Sequence, residues 1–310
     1  MSEVVAELLR GAIETRVTGV VAELGVADAL AQGPRPLADV AKEVGADRDV
    51  LERFLRALAS GGVFAEVDPG VWRNTKSSEL LGRETPWGAF AQLYGGVWHR
   101  VAGRLDAGGR PAFEGDFWTW LAEHPHERAL FDLAMQEGTE RRVERLDALE
   151  WRGDETVVDV GGGNGSLLRE LLARRPRLHG IVFDLPETAR DEASLAQAGI
   201  RFEAGSFFDN RVPAADVYVL GTVLHNWPDE EAAAILQAIC ANAPPAARVL
   251  ILDLVVRPDD DSPGVAWFDL LGLALFGARE RTESEWRSLL NAAGLRVDAV
   301  HEALIEARWP

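Results

Sequence analysis

The segment Val157-Val158-Asp159-Val160-Gly161-Gly162-Gly163-Asn164-Gly165-Ser166 constrains this chain more than any other. Residues 157–160 predict a short buried strand, and 167–173 carry apolar residues at helical spacing. The glycines between them allow a tight turn and let a ligand approach the backbone closely. Asp184 follows at the tip of the next apolar run, in Phe183-Asp184-Leu185-Pro186. An acid there can accept two hydrogen bonds from a ribose diol. The glycines fall as G-x-G-x-G. A pyrophosphate loop normally shows G-x-G-x-x-G or G-x-G-x-x-A. The spacing therefore suits a nucleoside ligand without phosphate, one that lays an amino-acid end against the loop.

The texture around this unit divides the chain. With 310 residues it is expected to hold two domains. From residue 155 onward strands alternate with helices. Strands are predicted over 157–160, 180–184, 200–203, 217–220 and 248–256, and helices over 167–173, 230–241 and 282–293. Two closing strands follow near 295–302 and 303–307. Such alternation predicts an α/β Rossmann-like domain with a mostly parallel, seven-stranded sheet and an antiparallel edge hairpin. The residues before 150 read as helical. One long helix is predicted over 4–30, stopped by Gly33-Pro34. Two short helices at 36–44 and 48–59 are split by Gly45-Ala46-Asp47, and a small hairpin forms around Asp68-Pro69-Gly70. Helix–turn–helix followed by a hairpin is a winged-helix shape. Further helices are predicted over 87–107, 117–122 and 127–149. The expected domains are 1–95, a winged-helix dimerisation unit; 96–150, connecting helices that line a pocket; and 151–310, the ligand-binding sheet.

Composition excludes several functions. The net charge of −18 repels phosphate backbones and anionic lipid, so no nucleic acid and no membrane is expected as a partner. No apolar run approaches the ~20 residues of a membrane helix. No secretory signal is visible at the N-terminus, and the lone Cys240 fits a reducing compartment, so a cytoplasmic location is expected. Cys240 itself reads as a small apolar-pattern residue. No metal-ligand cluster stands out.

A second constellation follows the fourth strand: Leu224-His225-Asn226-Trp227-Pro228-Asp229-Glu230. A histidine at the carboxyl end of a sheet strand lies at the mouth of the ligand crevice. With an ordinary pKa of about 6.5 it can take a proton from a hydroxyl at neutral pH.

These motifs, with Gly205-Ser206-Phe207-Phe208 and Arg279-Glu280-Arg281-Thr282, run in the order of a known family. The chain resembles the small-molecule O-methyltransferases that include the plant caffeate and flavonoid enzymes, hydroxyindole O-methyltransferase and bacterial polyketide-tailoring enzymes. The resemblance spans residues 8–306. It implies S-adenosylmethionine as methyl donor and an interlocked homodimer formed through the N-terminal helices. The apolar pattern over 4–30, too rich for a lone surface helix, agrees with that. It further implies that Gly161, Gly162 and Gly163 line the methionine end. Asp184 and Leu185 lie at the ribose, and Ser206 and Phe207 flank the adenine. His225 becomes the general base, braced by Asp253 and Glu280. The acceptor would meet Phe131, Met135, Asn226, Trp267, Asp269 and Gly272. Phe131 and Met135 also have the spacing of a core stripe, and Trp118 and Trp120 read as core or pocket roof.

The chain departs from the family at four of these positions. Asn226 stands where an aspartate is common, Ser206 where another is, Gly221 where many relatives have lysine, and Gly272 where methionine is usual. The loss of that methionine should enlarge the acceptor site or loosen its grip. The expected function is transfer of a methyl group to a hydroxyl, phenolic in character, of a small aromatic or polyketide-type molecule. Two alternatives remain: non-methylating chemistry on the same fold, which the retained His225 argues against, and a winged-helix DNA-binding regulator. Against the second, the would-be recognition helix over 48–60 mixes Asp49 and Glu52 with Arg48, Arg53 and Arg56.

Overall fold

The structure is a computed structural model and describes residues 2–108, 110–209, 211–257 and 263–309. It forms two compact units: residues up to Arg104 with Trp118–Glu137, and Leu105–Phe117 with residues from Gly138 onward.

The first unit opens with α1 (Ser2–Leu24) and α2 (Val26–Ala29). The single helix predicted over 4–30 is broken at Gly25, which adopts a left-handed φ of 73°. Next come β1 (Arg35–Pro36), α3 (Leu37–Val44), α4 (Arg48–Ser60), β2 (Phe64–Asp68) and β3 (Val71–Asn74). Asp47 starts α4 by accepting a hydrogen bond from the Val50 N–H at 2.9 Å. The hairpin gains β1 as a third strand, in the antiparallel order β1-β3-β2. Val21, Leu30, Leu37, Leu55, Phe64 and Trp72 form the core beneath it. The N-terminal half of α1 takes no part: Val4, Leu8, Leu9 and Ile13 are exposed, Leu9 to 76%. An apolar stripe of that kind marks an interaction surface. The helices α5 (Lys76–Glu79), α6 (Pro86–Gly95), α7 (Val97–Ala102), α8 (Phe117–Glu123) and α9 (Pro125–Ala134) follow. Of these, α8 begins at the boundary between the units.

The second unit contains α10 (Thr139–Asp147), β4 (Thr156–Val160), α11 (Ser166–Arg174), β5 (His179–Asp184), α12 (Glu192–Gln197), β6 (Ile200–Ala204), β7 (Val217–Gly221), α13 (Asp229–Cys240), β8 (Arg248–Leu252) and β9 (Val255–Val256). It closes with α14 (Pro263–Phe276), β10 (Arg281–Thr282), α15 (Glu283–Ala292), β11 (Arg296–Val300) and β12 (Ile305–Arg308). The helix expected over 127–149 is thus two helices, parted at the left-handed Gly138. Seven strands form one sheet in the order β11-β12-β8-β7-β4-β5-β6. All pairs are parallel except those of β12, which runs antiparallel to β8 and β11. The strand expected over 248–256 is interrupted: β9 leaves the sheet and pairs in parallel with β10, Val255 opposite Arg281. Apolar residues fill both faces of the sheet, which is why its strands read as unbroken apolar runs.

The order reverses at β4, with β5 and β6 on one side and β7 and β8 on the other. The crevice at such a switch point is where open α/β sheets bind ligands. The glycine loop leaves β4 there, and the histidine turn leaves β7 beside it.

Candidate active site

The glycine loop turns through left-handed backbone at Gly161, Gly163 and Gly165, with φ of 71°, 56° and 73°. A Cβ on Gly162 would strike the Asp159 carboxyl carbon at 2.6 Å, whereas one on Gly163 would meet nothing within 4 Å. The loop is thus packed against its own strand below and open at Gly163. Asp184, at the tip of β5, ties the loop to the next turn. Its Oδ2 accepts from the Gly163 N–H at 2.7 Å, and its Oδ1 from the Leu185 N–H at 2.6 Å. Asp159 is buried beneath, and its Oδ2 has no hydrogen-bond partner among the described residues. Burial and the nearby Asp184 push its carboxyl up to about 7, against a weaker opposing pull from Arg142. A cradle with open space, a positioned acid and a second buried acid suits a cationic nucleoside with an amino-acid tail.

Ser206 and Phe207 follow β6. The Ser206 Oγ accepts from the Phe208 N–H at 3.2 Å. The ring of Phe207 stands edge-on to Trp227, centroids 5.6 Å apart, so the loop after β6 touches the histidine segment. The two loops approach again at Gly161, where a Cβ would meet the Val223 methyls at 3.0 Å.

His225 sits in a short 3-10 turn, Leu224–Asn226, just past β7. Before it, Thr222 holds a left-handed φ of 56°, a strained conformation for a non-glycine residue and one that gathers at functional sites. The Asn226 amide donates to the Thr222 carbonyl at 3.0 Å, bracing that turn. The buried His225 ring places Nδ1 2.7 Å from Glu280 Oε1. Asp253, fully buried past the end of β8, accepts from the Leu224 N–H at 3.2 Å. Asp253 Oδ1 and Glu280 Oε2 are buried without hydrogen-bond partners among the described residues. Burial alone would lower the imidazole pKa, but Asp253, Glu280 and the Thr222 carbonyl outweigh it and raise it. Burial pushes Asp253 up to about 6, a rise that Glu280 reinforces and that His225 and Arg281 oppose.

Glu280 is held in turn. The Asp269 Oδ1 accepts its backbone N–H at 2.7 Å, and β10 begins at the next residue. Asp269 lies on α14 beside Phe268, whose ring stacks on the His225 imidazole with centroids 5.7 Å apart. Gly272 is one turn further on, on the same face of the helix as Phe268. A Cβ there would meet nothing within 4 Å.

The structure therefore brings His225, Asp253, Glu280, Asp269 and Asn226 into one cluster, and Gly161, Gly162, Gly163, Asp184 and Leu185 into a second beside it. Trp267 is 61% exposed on α14. Phe131 and Met135 belong to the other unit, where Phe131 packs edge-on to Trp118. Sequence reasoning gave no role to Phe268, Thr222 or Arg281. Arg281 stood in plain view within the Arg279-Glu280-Arg281-Thr282 motif. The backbone strain at Thr222 has no sequence signal.

Comparison with known proteins agrees with this geometry. Residues 98–296 match the O-methyltransferase domain model, and residues 6–84 the O-methyltransferase dimerisation domain. The phenazine O-methyltransferase of Lysobacter antibioticus is 35% identical over 97% of this chain and 92% of its own length. The crystal structure of LaPhzM superposes with a TM-score of 0.94 at 32% identity, covering 100% of this chain and 99% of that one. NcsB1, from neocarzinostatin biosynthesis, was solved with S-adenosyl-L-homocysteine and 1,4-dihydroxy-2-naphthoic acid. It aligns with a TM-score of 0.77 at 31% identity over 96% of both chains.

The chain belongs to the O-methyltransferase family. It is an S-adenosylmethionine-dependent O-methyltransferase that carries the family's N-terminal dimerisation domain. Among the described residues no helix is long and apolar enough to cross a membrane, and no cluster of side chains could hold a metal ion.

Proposed function

We propose that this enzyme methylates a phenolic hydroxyl of a fused-ring aromatic natural product, with His225 as the general base, and that it works as a homodimer. The observation that carries the reading is the 2.7 Å contact between His225 Nδ1 and Glu280, with Asp253 buried behind it. When bound, S-adenosylmethionine supplies an electrophilic methyl group on a sulfonium. The chain must then supply a competent oxygen nucleophile and hold it in place. A neutral phenol, with pKa about 10, becomes one on losing its proton. Glu280 fixes the tautomer with hydrogen on Nδ1, which leaves Nε2 to take that proton. The resulting imidazolium is stabilised by the charges of Glu280 and Asp253, each of which holds a buried oxygen with no hydrogen-bond partner among the described residues.

The methyl donor would be held by Gly161, Gly162 and Gly163 at its amino-acid end, by Asp184 and Leu185 at the ribose, and by Ser206 and Phe207 at the adenine. Phe131, Met135, Asn226, Trp267, Asp269 and Gly272 are the acceptor-side candidates. Gly272 supports a broad acceptor: its open side lies along the helix face that stacks Phe268 on His225. Two relatives named above, one a phenazine enzyme and one solved with a naphthoic acid, handle fused rings. For the homodimer, the exposed apolar half of α1 lies within the matched dimerisation region.

The test is a pH–rate comparison of wild type, His225→Ala and His225→Gln on one acceptor. Both variants should keep cofactor affinity and lose about 10²- to 10⁴-fold in kcat, the usual worth of general-base catalysis. The base must be neutral to act, and its pKa is raised. The acid limb of the wild-type profile should therefore lie above the ordinary imidazole value of about 6.5 and activity should fall as pH drops through it. Small losses in both variants with parallel profiles would mean that proximity alone does the work.

A further inference from the structure

We propose that Arg281 is a positioning residue that sets the aim of the His225 imidazole by gripping the turn that carries it. The inference rests on the reading of His225 as base, and it concerns a side chain that makes no contact with the ring.

Arg281 is fully buried. A guanidinium in such a place is costly unless its donors are met, and an apolar side chain of similar size would often serve stability as well. Its donors go to one short segment. Nη1 donates to the Leu224 carbonyl at 2.9 Å, Nη2 to the Trp227 carbonyl at 2.7 Å, and Nε to Asp229 Oδ1 at 2.9 Å. His225 lies between the first two of these anchors. Below the guanidinium, the Trp286 ring sits 5.1 Å away and closes its other face. The neighbouring residue, Glu280, holds the imidazole itself at Nδ1. Two consecutive residues thus hold one histidine, the first by its ring and the second by the backbone carbonyls that flank it. Both are tied to the segment that follows β8 by the pairing of Arg281 with Val255 in β9, two residues past Asp253.

The planar fork explains why arginine stands here. It fixes two carbonyls and a carboxylate at set angles, which a lysine ammonium cannot do. The turn needs such a grip, because it follows the strained Thr222 and contains only one short 3-10 element. A misplacement of about 1 Å in a catalytic group can cost 10²-fold in rate.

The test uses the full-length enzyme with S-adenosyl-L-homocysteine bound. Proton NMR should show a downfield Nδ1–H resonance from the His225–Glu280 hydrogen bond, assigned by its absence in His225→Gln. In Arg281→Lys, which keeps the charge, the resonance should broaden or vanish while the stoichiometry of S-adenosyl-L-homocysteine binding by calorimetry stays at wild-type level. With 1,4-dihydroxy-2-naphthoic acid as probe acceptor, kcat should fall about 10- to 100-fold with the KM for S-adenosylmethionine unchanged. The same substitution should cost little more in a His225→Gln background, because the two act as a unit. An unchanged resonance in Arg281→Lys, or losses that simply multiply in the double variant, overturns the proposal. Failure of the base reading looks different: His225→Gln alone would keep its turnover. Should Arg281→Lys bind no S-adenosyl-L-homocysteine, Asp229→Asn takes its place. Of the three Arg281 contacts it weakens only the one at Nε, and it also loosens the exposed Arg279–Asp229 pair, so Arg279→Gln serves as its control; faster solvent exchange of the same proton is expected in Asp229→Asn alone, and an unchanged exchange rate counts against Arg281.

Discussion

Two pairs of acids stand at neighbouring strand ends in this enzyme, and they are resolved in opposite ways. Asp159 and Asp184 lie at β4 and the tip of β5, and burial with the charge of Asp184 pushes Asp159 up to about 7 against a weaker pull from Arg142. Asp253 and Glu280, past β8 and before β10, close around a base, and the buried Arg281 stands behind them. At the first pair the raised Asp159 suits a ligand that brings positive charge. The second already contains His225, the group that becomes positive in the proposed reaction. The difference teaches that acids at the end of a parallel sheet do not define a function by themselves. What decides it is whether the cation is resident or arrives.

The largest effect that separates the pairs is expected at Asp184. Asp184→Ala removes the anchor of the Gly163 and Leu185 N–H groups and the acceptor for a ribose diol. S-adenosylmethionine binding should weaken by about 1.5–3 kcal/mol, the scale of hydrogen bonds to a charged group. Titration calorimetry measures this directly. Unchanged affinity would take Asp184 out of the binding site and dissolve the contrast.

Glu280→Gln should come next and act on the other quantity. It keeps the shape and a hydrogen bond but removes the charge that fixes the imidazole tautomer and raises its basicity. Loss of such an orienting partner typically costs about 10- to 100-fold in activity. The loss should fall on kcat, and the acid limb of the pH profile should move down, because one of the charges that raise the His225 pKa is gone. Steady-state kinetics with both substrates varied would show it. A weakened grip on S-adenosylmethionine in this variant would mean that the two pairs are one site and the comparison is wrong.

The sequence carried the first pair further than the second. Asp184 falls at the tip of a contiguous strand–loop–helix–strand unit, where spacing predicts that it reaches the crevice, while Asp159 shows in the sequence only as part of the strand. The second pair is assembled from segments separated by tens of residues, and only resemblance to a family connected His225 with Asp253 and Glu280. Resemblance transfers roles already attached to positions, so it was silent on Phe268 and Arg281. The break of the 248–256 strand was equally hidden. Val255 and Val256 continue an apolar run, and nothing local says that they leave the sheet to pair with Arg281 and Thr282. The break at Gly25 was legible in principle, since a glycine within a helical pattern is a known weak point. The apolar residues on either side outvoted it. Gly272 had a signal of the opposite kind: glycine is unfavourable within a helix, and its open side lies on the face that reaches His225.

The smallest expected effect tests whether Asp159 holds its proton near neutral pH until a cation arrives. The Asp159 carboxyl has a pKa near 3.9 in an unfolded chain and about 7 in the fold. Below about pH 4 it is protonated in both states, and its contribution to stability is fully present. As pH rises towards 7 the unfolded chain ionises first, so stability is lost progressively, and above 7 the loss levels off. Between pH 6 and pH 8 this group alone should cost the fold about 1 kcal/mol. Asp159→Asn has no such proton. Its stability relative to wild type should therefore grow by the same amount across that interval, as read by urea unfolding at pH 6, 7 and 8 without cofactor. His225 and Asp253 titrate in both proteins and drop out of the difference. A saturating cationic cofactor should favour the carboxylate, draw the proton off and flatten the dependence. Asn at this position should flatten it with or without cofactor. A wild-type curve that matches the variant at all three pH values would show Asp159 ionised throughout, and the first pair would then be as well compensated as the second.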